Sequence, residues 1–410
     1  MKVWIINPYG NIPGEGWRTY RTTLIADAFA AKGHEVISWV SNIQHRSKAK
    51  RAEGWKDVVV NPNYLIKIVP STSYEGHISV ARIKYERNYA KNIKNFVAQH
   101  TAEDLKPDLI ILGEPALFIA DIVLDIVKYT QAKLLVDVLD LWPELFHILL
   151  PNKLAFLGKV IFSPLYYRRD RLFKKANGVI AVAKDYLELA LKANPALPHE
   201  VVYIGVDVQE VKALQGGTFE SPILQQLTKQ PHEIWVVYAG TLGPSYDIKT
   251  IIACAQILAV KAPFVKIIIA GDGPLHELVS QPRVNLVYVG SLHTQDVGLL
   301  YQQCDLALSS YVSGSTVSMP LKAYDYLAAG LPLVNSLGRD LGNFVRSKKI
   351  GLQYKAENAL AMAEAIVTLV NDGDLRKQMS ANALALAVDF DAGSQHKKVV
   401  SLAEKILSKS

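Results

Sequence analysis

Two α/β domains, each a doubly wound parallel sheet, are predicted by three features of the sequence. Short apolar runs rich in β-branched residues recur between longer stretches of helical period. The runs are continuously apolar rather than alternating, as suits strands covered on both faces. The scheme also breaks once, near residue 205, and then begins again. In the first half the strands read at 2–7, 35–40, 109–112, 134–138 and 178–182. The stretch 19–32, with Leu24, Ala28 and Ala31 on one stripe, reads as a helix that covers their sheet. Beyond residues 201–207 the chain turns irregular through Gln215-Gly216-Gly217-Thr218 and Ser221-Pro222, and a new strand opens at 234–238. Further strands are expected at 265–270, 285–289, 306–309 and 332–335, and helices from residue 360 onward. The expected division is a first domain over 1–205, a linker over 206–232, a second domain over 233–392 facing the first across a cleft, and a helix over 393–410 packing back on the first domain.

Composition narrows the function classes. The 410 residues are 50% hydrophobic and 20% charged, enough apolar side chain for two cores and no sign of low-complexity disorder. Two cysteines, Cys254 and Cys304, argue against a disulfide framework or a cysteine-built metal site. The apolar start is shorter than a signal-peptide core, and the longest apolar region, 109–127, is broken by Glu114, Asp121 and Asp125, so a cytoplasmic location is expected. The net charge of +7 sits in the first half, where 27 Lys and Arg face 20 Asp and Glu; the remainder is balanced at 18 against 18. Such a half suits an anionic membrane surface, a phosphorylated substrate or nucleic acid. No recognised nucleic-acid module accompanies it, and nucleic acid is not expected as a partner. The segment 166–175 mixes Tyr166, Tyr167 and Phe173 with clustered Arg and Lys, as a membrane-facing helix or an ordinary surface helix does.

In open parallel sheets ligands bind beyond the carboxyl ends of the strands, so the turns there carry the candidates. The first turn holds Gly14-Glu15-Gly16-Trp17-Arg18, whose amides are placed to line an anion or to make a plain tight turn. In the second half, Gly240-Thr241-Leu242-Gly243-Pro244 and Gly271-Asp272-Gly273-Pro274 each follow an apolar strand. A third element is Ser318-Met319-Pro320 leading into a helix with Lys322 in its first turn and Asp325 one turn on. Free amides and the positive end of the helix dipole hold phosphate, a lysine adds charge, and a carboxylate can accept from ribose hydroxyls. The alternative is a capped amphipathic helix with a solvated Lys and Asp.

The run 320–334, of the form P-x-K-x-x-D-Y-L-A-A-G-x-P-x-V, resembles the donor-binding helix of family 4 glycosyltransferases, which have the GT-B fold. Residues 240–244 and 270–274 resemble that family's glycine turns, 204–207 its linker opening, and Asp137 to Glu144, read as D-x-W-P-E, its surface-polysaccharide branch. The resemblance implies a retaining transferase that takes a nucleoside diphosphate sugar as co-substrate, without metal or other cofactor, and gives its sugar to a polysaccharide, lipid-linked or other hydroxyl acceptor at the cell envelope. It implies donor contacts at Gly240, Thr241, Leu242, Gly271, Gly273, Ser318, Met319, Pro320, Lys322 and Asp325. Acceptor-side or catalytic roles fall to Glu114, Asp140 and Glu144, with Gly14, Glu15, Gly16 and Arg18 as an acceptor or phosphate loop. The sequence departs from the family at Val317, where many members carry the first of two glutamates, at Glu114, where many carry a histidine, and after Gly240, where an Arg and a Lys are missing. Alternatives on the same fold are a sugar-nucleotide epimerase or hydrolase, or a non-catalytic partner of an active transferase.

Overall fold

The computed structural model describes residues 1–15, 21–76, 79–100, 105–150, 156–214 and 217–408, with the side chains of 147–149 excepted. The chain divides into two compact units, Met1–Ile204 with Gly393–Ser410, and Gly205–Ala392.

The first unit runs β1 (Lys2–Ile6), α1 (Arg21–Ala31), β2 (Glu35–Ser41), β3 (Lys56–Asn61), β4 (Tyr64–Val69), α2 (Val80–Gln99), β5 (Leu109–Glu114), α3 (Ala120–Thr130), β6 (Lys133–Val138), α4 (Gly158–Ile161), α5 (Ser163–Lys175), β7 (Gly178–Ala181), α6 (Lys184–Ala193) and β8 (His199–Val201). Its strands lie in the order β3-β4-β2-β1-β5-β6-β7-β8. All pair in parallel except β3, which is antiparallel to β4 at the sheet edge. The strands read from sequence are all parallel, and the antiparallel edge strand β3 is one that the sequence reading missed. The strand Lys-Asp-Val-Val-Val-Asn is largely solvent-facing, with Val59 exposed, and a short hairpin at an edge needs no covering helix.

The interior strands are apolar because both faces are covered. On one face Ile110, Leu134 and Val136 pack with Val123 and Ile126 of α3 and with Leu172 and Phe173 of α5. On the other, Val3, Ile5 and Leu135 pack with Ile25 and Phe29 of α1. A helix near the chain's end, Ala392–Ser408, adds Val399, Val400, Ala403 and Ile406 to this second face.

The second unit runs α7 (Val208–Ala213), α8 (Pro222–Gln225), β9 (Ile234–Ala239), α9 (Ile248–Lys261), β10 (Val265–Ala270), α10 (Glu277–Ser280), β11 (Leu286–Gly290), α11 (Thr294–Gln303), β12 (Leu306–Ser309), α12 (Leu321–Ala328), β13 (Leu333–Asn335), α13 (Arg339–Lys348), β14 (Gly351–Gln353), α14 (Ala359–Asn371) and α15 (Gly373–Asp389), before α16 (Ala392–Ser408) returns to the first unit. Its strands are ordered β11-β10-β9-β12-β13-β14, every pair parallel. The central strands are sealed: Val236, Tyr238, Ile267, Ile269 and Leu308 pack against Ile251, Cys254 and Leu258 of α9 and Ile366 of α14. Both cysteines are buried and unbridged. Residues 206–232, read as a linker, contain α7 and α8 and belong to the second unit. Among the described residues no helix is long and apolar enough to cross a membrane.

Candidate active site

In the second unit the loops after β9, β10 and β12 meet around a cavity of about 570 Å³. Parallel strands of similar length end at one level, so the turns that follow them must stack. Gly240 and Gly271 make that possible. They hold φ of 139° and 138°, a region costly for any other residue, and a Cβ on Gly271 would fall 1.9 Å from the Gly240 carbonyl oxygen. Backbone bonds lock the two turns together: Gly240 N donates to Ala270 O at 2.9 Å and Leu242 N to Asp272 O at 2.9 Å. The Gly271 amide is likewise spent on Gly290 O, at 2.7 Å. These glycines serve close approach of backbone to backbone, and their own N–H groups are not the ones left for an anion.

Helix α12 enters the cavity by its first turn. Its N-cap is Pro320, with no side-chain cap, so the opening amides lack intrahelical partners. Lys322 extends from this turn beneath Gly240, where a Cβ would sit 3.0 Å from its Nζ. The amine has no hydrogen-bond partner among the described residues. It faces aromatic rings instead, 3.9 Å from the Tyr238 centroid, 4.6 Å from Tyr246 and 5.6 Å from Tyr311. Burial without a counter-charge pulls its pKa down to about 7.

Of the donor-side residues read from sequence, Gly240, Thr241, Gly271, Pro320, Lys322 and Asp325 line this cavity, together with Val317. Leu242, Gly273, Ser318 and Met319 do not. Leu242 is buried and bridges the turns, its carbonyl accepting from Leu275 N at 2.8 Å, and Gly273 (φ 149°) leaves room for that carbonyl. Ser318 is buried, its Oγ accepting from Asp340 N at 3.3 Å, and ties the approach of α12 to α13. Sequence reading missed Tyr311, which follows β12 and forms a bridge with Tyr246 at a ring separation of 5.0 Å. Its only sequence signal is an aromatic just past a strand end.

The residues read from sequence as acceptor-side all fall in the first unit. Glu114 ends β5 fully buried; its Oε2 accepts from Ala116 N at 2.7 Å and its Oε1 has no partner among the described residues. Burial pushes this carboxyl up to about 7. Asp140 follows β6, accepts from Leu141 N at 2.8 Å, and is raised by burial. Glu144 instead holds Arg169, which donates at 2.8 Å to both carboxylate oxygens and at 3.0 Å to the Trp142 carbonyl. Glu15 is also committed, receiving Arg51 Nε at 2.6 Å and Nη2 at 2.7 Å, so it braces the first loop rather than opening toward a ligand. Gly14 takes φ 88° with open space around it; Gly16 and Arg18 lie outside the described residues. Sequence reading missed the buried pair at the start of α1, Arg21 to Asp137 at 2.8–3.0 Å with a further bond from Arg21 to the Val202 carbonyl. Among the described residues no group of three His, Cys, Asp or Glu side chains is placed to hold a metal.

Residues 233–372 match the family of glycosyl transferases, group 1. A chitobiosyldiphosphodolichol beta-mannosyltransferase from Candida glabrata is 26% identical over 162 residues, 36% of this chain and 36% of its own length. The protein of the same name from Kluyveromyces lactis is 24% identical over 313 residues, 67% of this chain and 66% of its own. The chain therefore spans less than two thirds of either relative. Among solved structures, a sucrose-phosphate synthase from Thermosynechococcus elongatus superposes over 100% of both chains with a TM-score of 0.74 at 15% identity. Anabaena HepE in complex with UDP-glucose does so over 100% of both with 0.63 at 16%. WaaG, a glycosyltransferase involved in lipopolysaccharide biosynthesis, covers 98% of this chain and 99% of its own with 0.65 at 14%. Two parallel-sheet units with these neighbours make the fold GT-B, and the second unit holds the stretch that matches the group 1 glycosyl transferases.

Proposed function

We propose that the protein transfers a sugar from a nucleoside diphosphate sugar to a hydroxyl of a carbohydrate or lipid-linked acceptor. The observation that carries this reading is the buried Lys322 amine, without a counter-charge, in the wall of a cavity rimmed by glycine turns and an uncapped helix start. A diphosphate supplies the missing charge. As the glycosidic bond breaks, negative charge grows on the leaving diphosphate, and a fixed ammonium with nearby amides stabilises that state more than the ground state. Asp325, on the same wall, accepts from sugar or ribose hydroxyls. The match to group 1 glycosyl transferases and the UDP-glucose in HepE's structure support a nucleotide-sugar donor. The name of the yeast relatives, a mannosyltransferase on a dolichol-linked diphosphate, supports a lipid-linked acceptor.

Glu114 and Asp140 are our candidates to polarise the acceptor hydroxyl, since burial raises both carboxyls, that of Glu114 to about 7. Retention at the anomeric carbon is carried over from the family 4 resemblance; the anomeric coupling of the product in proton NMR tests it, and an inverted linkage overturns it. Transfer without a resident metal is tested by full turnover in EDTA. A thermal-shift screen with UDP, GDP, ADP and dTDP sugars identifies the donor, because a ligand bound to the native state raises the melting temperature. Lys322→Ala should remove most turnover and the nucleotide-induced shift while leaving the unliganded protein folded. An unchanged shift removes Lys322 from the donor site. Val317, an apolar side chain on the cavity wall, favours a second reading as a hydrolase or a non-catalytic partner; donor consumed without acceptor, or no transfer at all, would point there.

A further inference from the structure

The first unit assembles a cluster of charge at the carboxyl ends of β1, β2, β4 and β6, electrostatically linked to Asp140 and Glu114. Arg82 enters it from the first turn of α2, a turn with no acidic residue. Its guanidinium is held between two rings, 4.9 Å from the Tyr9 centroid and 4.8 Å from Trp142. Its Nε donates to the Tyr9 hydroxyl at 2.8 Å and to Glu86 at 3.0 Å, and the Tyr9 hydroxyl in turn donates to Glu86. Lys48 comes from the turn after β2. Its Nζ donates to the His45 carbonyl at 2.6 Å and stands 4.0 Å over the Tyr74 ring, whose hydroxyl shares a hydrogen bond with His45. The rings of Tyr9, His45 and Tyr74 follow one another at 4.7 and 6.1 Å, so the two cations flank one aromatic patch.

Arg82 is paired with Glu86 and feels the charge of Asp140, whereas Lys48 has no such counter-charge. The partners of Lys48 are neutral, and among the described residues no carboxylate forms an ion pair with it. Glu86 is buried beside Arg82 and Tyr9, and burial pushes its carboxyl, like that of Asp140, toward the neutral form. Burial and the charge of Arg82 together pull the Lys48 ammonium down. Lys48 also holds φ 59°, a left-handed conformation that a non-glycine residue adopts only at an energetic cost. The fold thus spends strain and like-charge repulsion to bring two cations to one ligand-binding edge. An anion gives Lys48 the counter-charge that Glu86 already gives Arg82 and offsets the repulsion between the two cations.

We propose that Lys48 and Arg82, set around the Tyr9, Tyr74 and Trp142 rings, form an anion subsite in the first unit that takes a phosphate ester. On the reading of the protein as a glycosyltransferase, that ester belongs to the acceptor, and the rings cover the group that carries it. Two sources share this chemistry, a sugar phosphate and a lipid-linked diphosphate.

The test is isothermal titration of the full chain with glucose 6-phosphate and with geranyl diphosphate, each against its phosphate-free parent, glucose or geraniol. Wild type is compared with Lys48→Gln, Lys48→Arg and Lys322→Ala. At least one ester should bind about tenfold or more tighter than its parent, and Lys48→Gln should remove about that factor, the scale of one lost charge-assisted contact. Lys48→Arg should keep the affinity, and Lys322→Ala should change it less than about twofold. The ester that responds names the source. UDP or GDP titrated into the same variants should show the reverse dependence, on Lys322 and not on Lys48. The subsite is overturned if neither ester exceeds its parent, if Lys48→Gln binds as wild type does, or if the loss follows Lys322→Ala. Should no nucleotide bind while the Lys48 dependence persists, the donor reading fails and the subsite stands.

Discussion

Lys322 and Glu114 are a base and an acid that burial moves to the same place, both to about 7, from opposite directions. For Lys322 the free cavity holds an amine that loses its proton as pH rises through 7, whereas a bound diphosphate favours the ammonium. Nucleotide affinity should then be flat below pH 7 and weaken by up to about tenfold per unit above it, until the bound amine also titrates. Lys322→Arg, which stays charged, should flatten that profile; a slope that survives in the variant assigns the titration elsewhere. Glu114 acts on stability. Its folded pKa lies above the unfolded value, so between about 4.5 and 7 the native state binds more protons and stability falls with rising pH. Glu114→Gln keeps an oxygen for the Ala116 amide and removes the buried charge. It should melt higher than wild type at pH 8 and equal it near pH 4.5. The Arg21 and Asp137 pair has no such freedom, because both groups are buried and removal of either leaves the other without its partner. Asp137→Ala should cost about 3–5 kcal/mol in denaturant unfolding.

At the scale of elements, α4 and α5 present an unusual surface. Phe156, Val160 and Tyr167 are 77%, 71% and 70% exposed, on a segment that also exposes Lys159, Lys174 and Lys175. Apolar side chains interleaved with cations match the interface of an anionic bilayer, where each set has a partner that water does not supply. We propose this face as the membrane contact expected of an enzyme with a lipid-linked acceptor. Val160→Glu combined with Tyr167→Glu should abolish flotation with phosphatidylglycerol vesicles and leave turnover on a water-soluble acceptor intact. Flotation by the double variant would reject that contact. The elements themselves were readable from sequence where their cause is local. Continuous apolar runs gave β1, β5, β6, β9 and β10 within a residue or two, and Gly240, Gly271 and Lys322 were marked by short-range pattern. Strands β3, β4, β8 and β14 were missed: β3 is largely solvent-facing, Lys67 interrupts the apolar run of β4, and β8 and β14 are three residues each without a marked apolar run. Arg82 and Lys48 escaped notice, and Trp142 was marked only as part of the D-x-W-P-E run, because they meet only after the strands between them are paired, and nothing in the sequence near Arg82 announces Tyr9, 73 residues away.

For the molecule as a whole, the division into units makes one helix decisive. Residues 393–408 supply Val399, Val400, Ala403 and Ile406 to the first unit's core, with Ile406 pressed close over Gly178. A chain ended after Ala392 should therefore lose stability in the first unit by several kcal/mol and keep the second unit folded. Trp235 is the single tryptophan between residues 205 and 392, and its buried position makes it a reporter for that unit's integrity. Retention of its native emission in the shortened chain, alongside early melting of the rest, is the expected outcome.

The same helix sets an order of events during synthesis. Residues 205–392 leave the ribosome as one uninterrupted stretch and can fold at once, whereas the sheet begun by Met1 stays only partly covered on one face, by α1, until the segment beyond residue 393 emerges. Through that interval its bare valines and isoleucines are open to chaperones, which makes the nascent first half, although translated earlier, the later of the two to reach its native state.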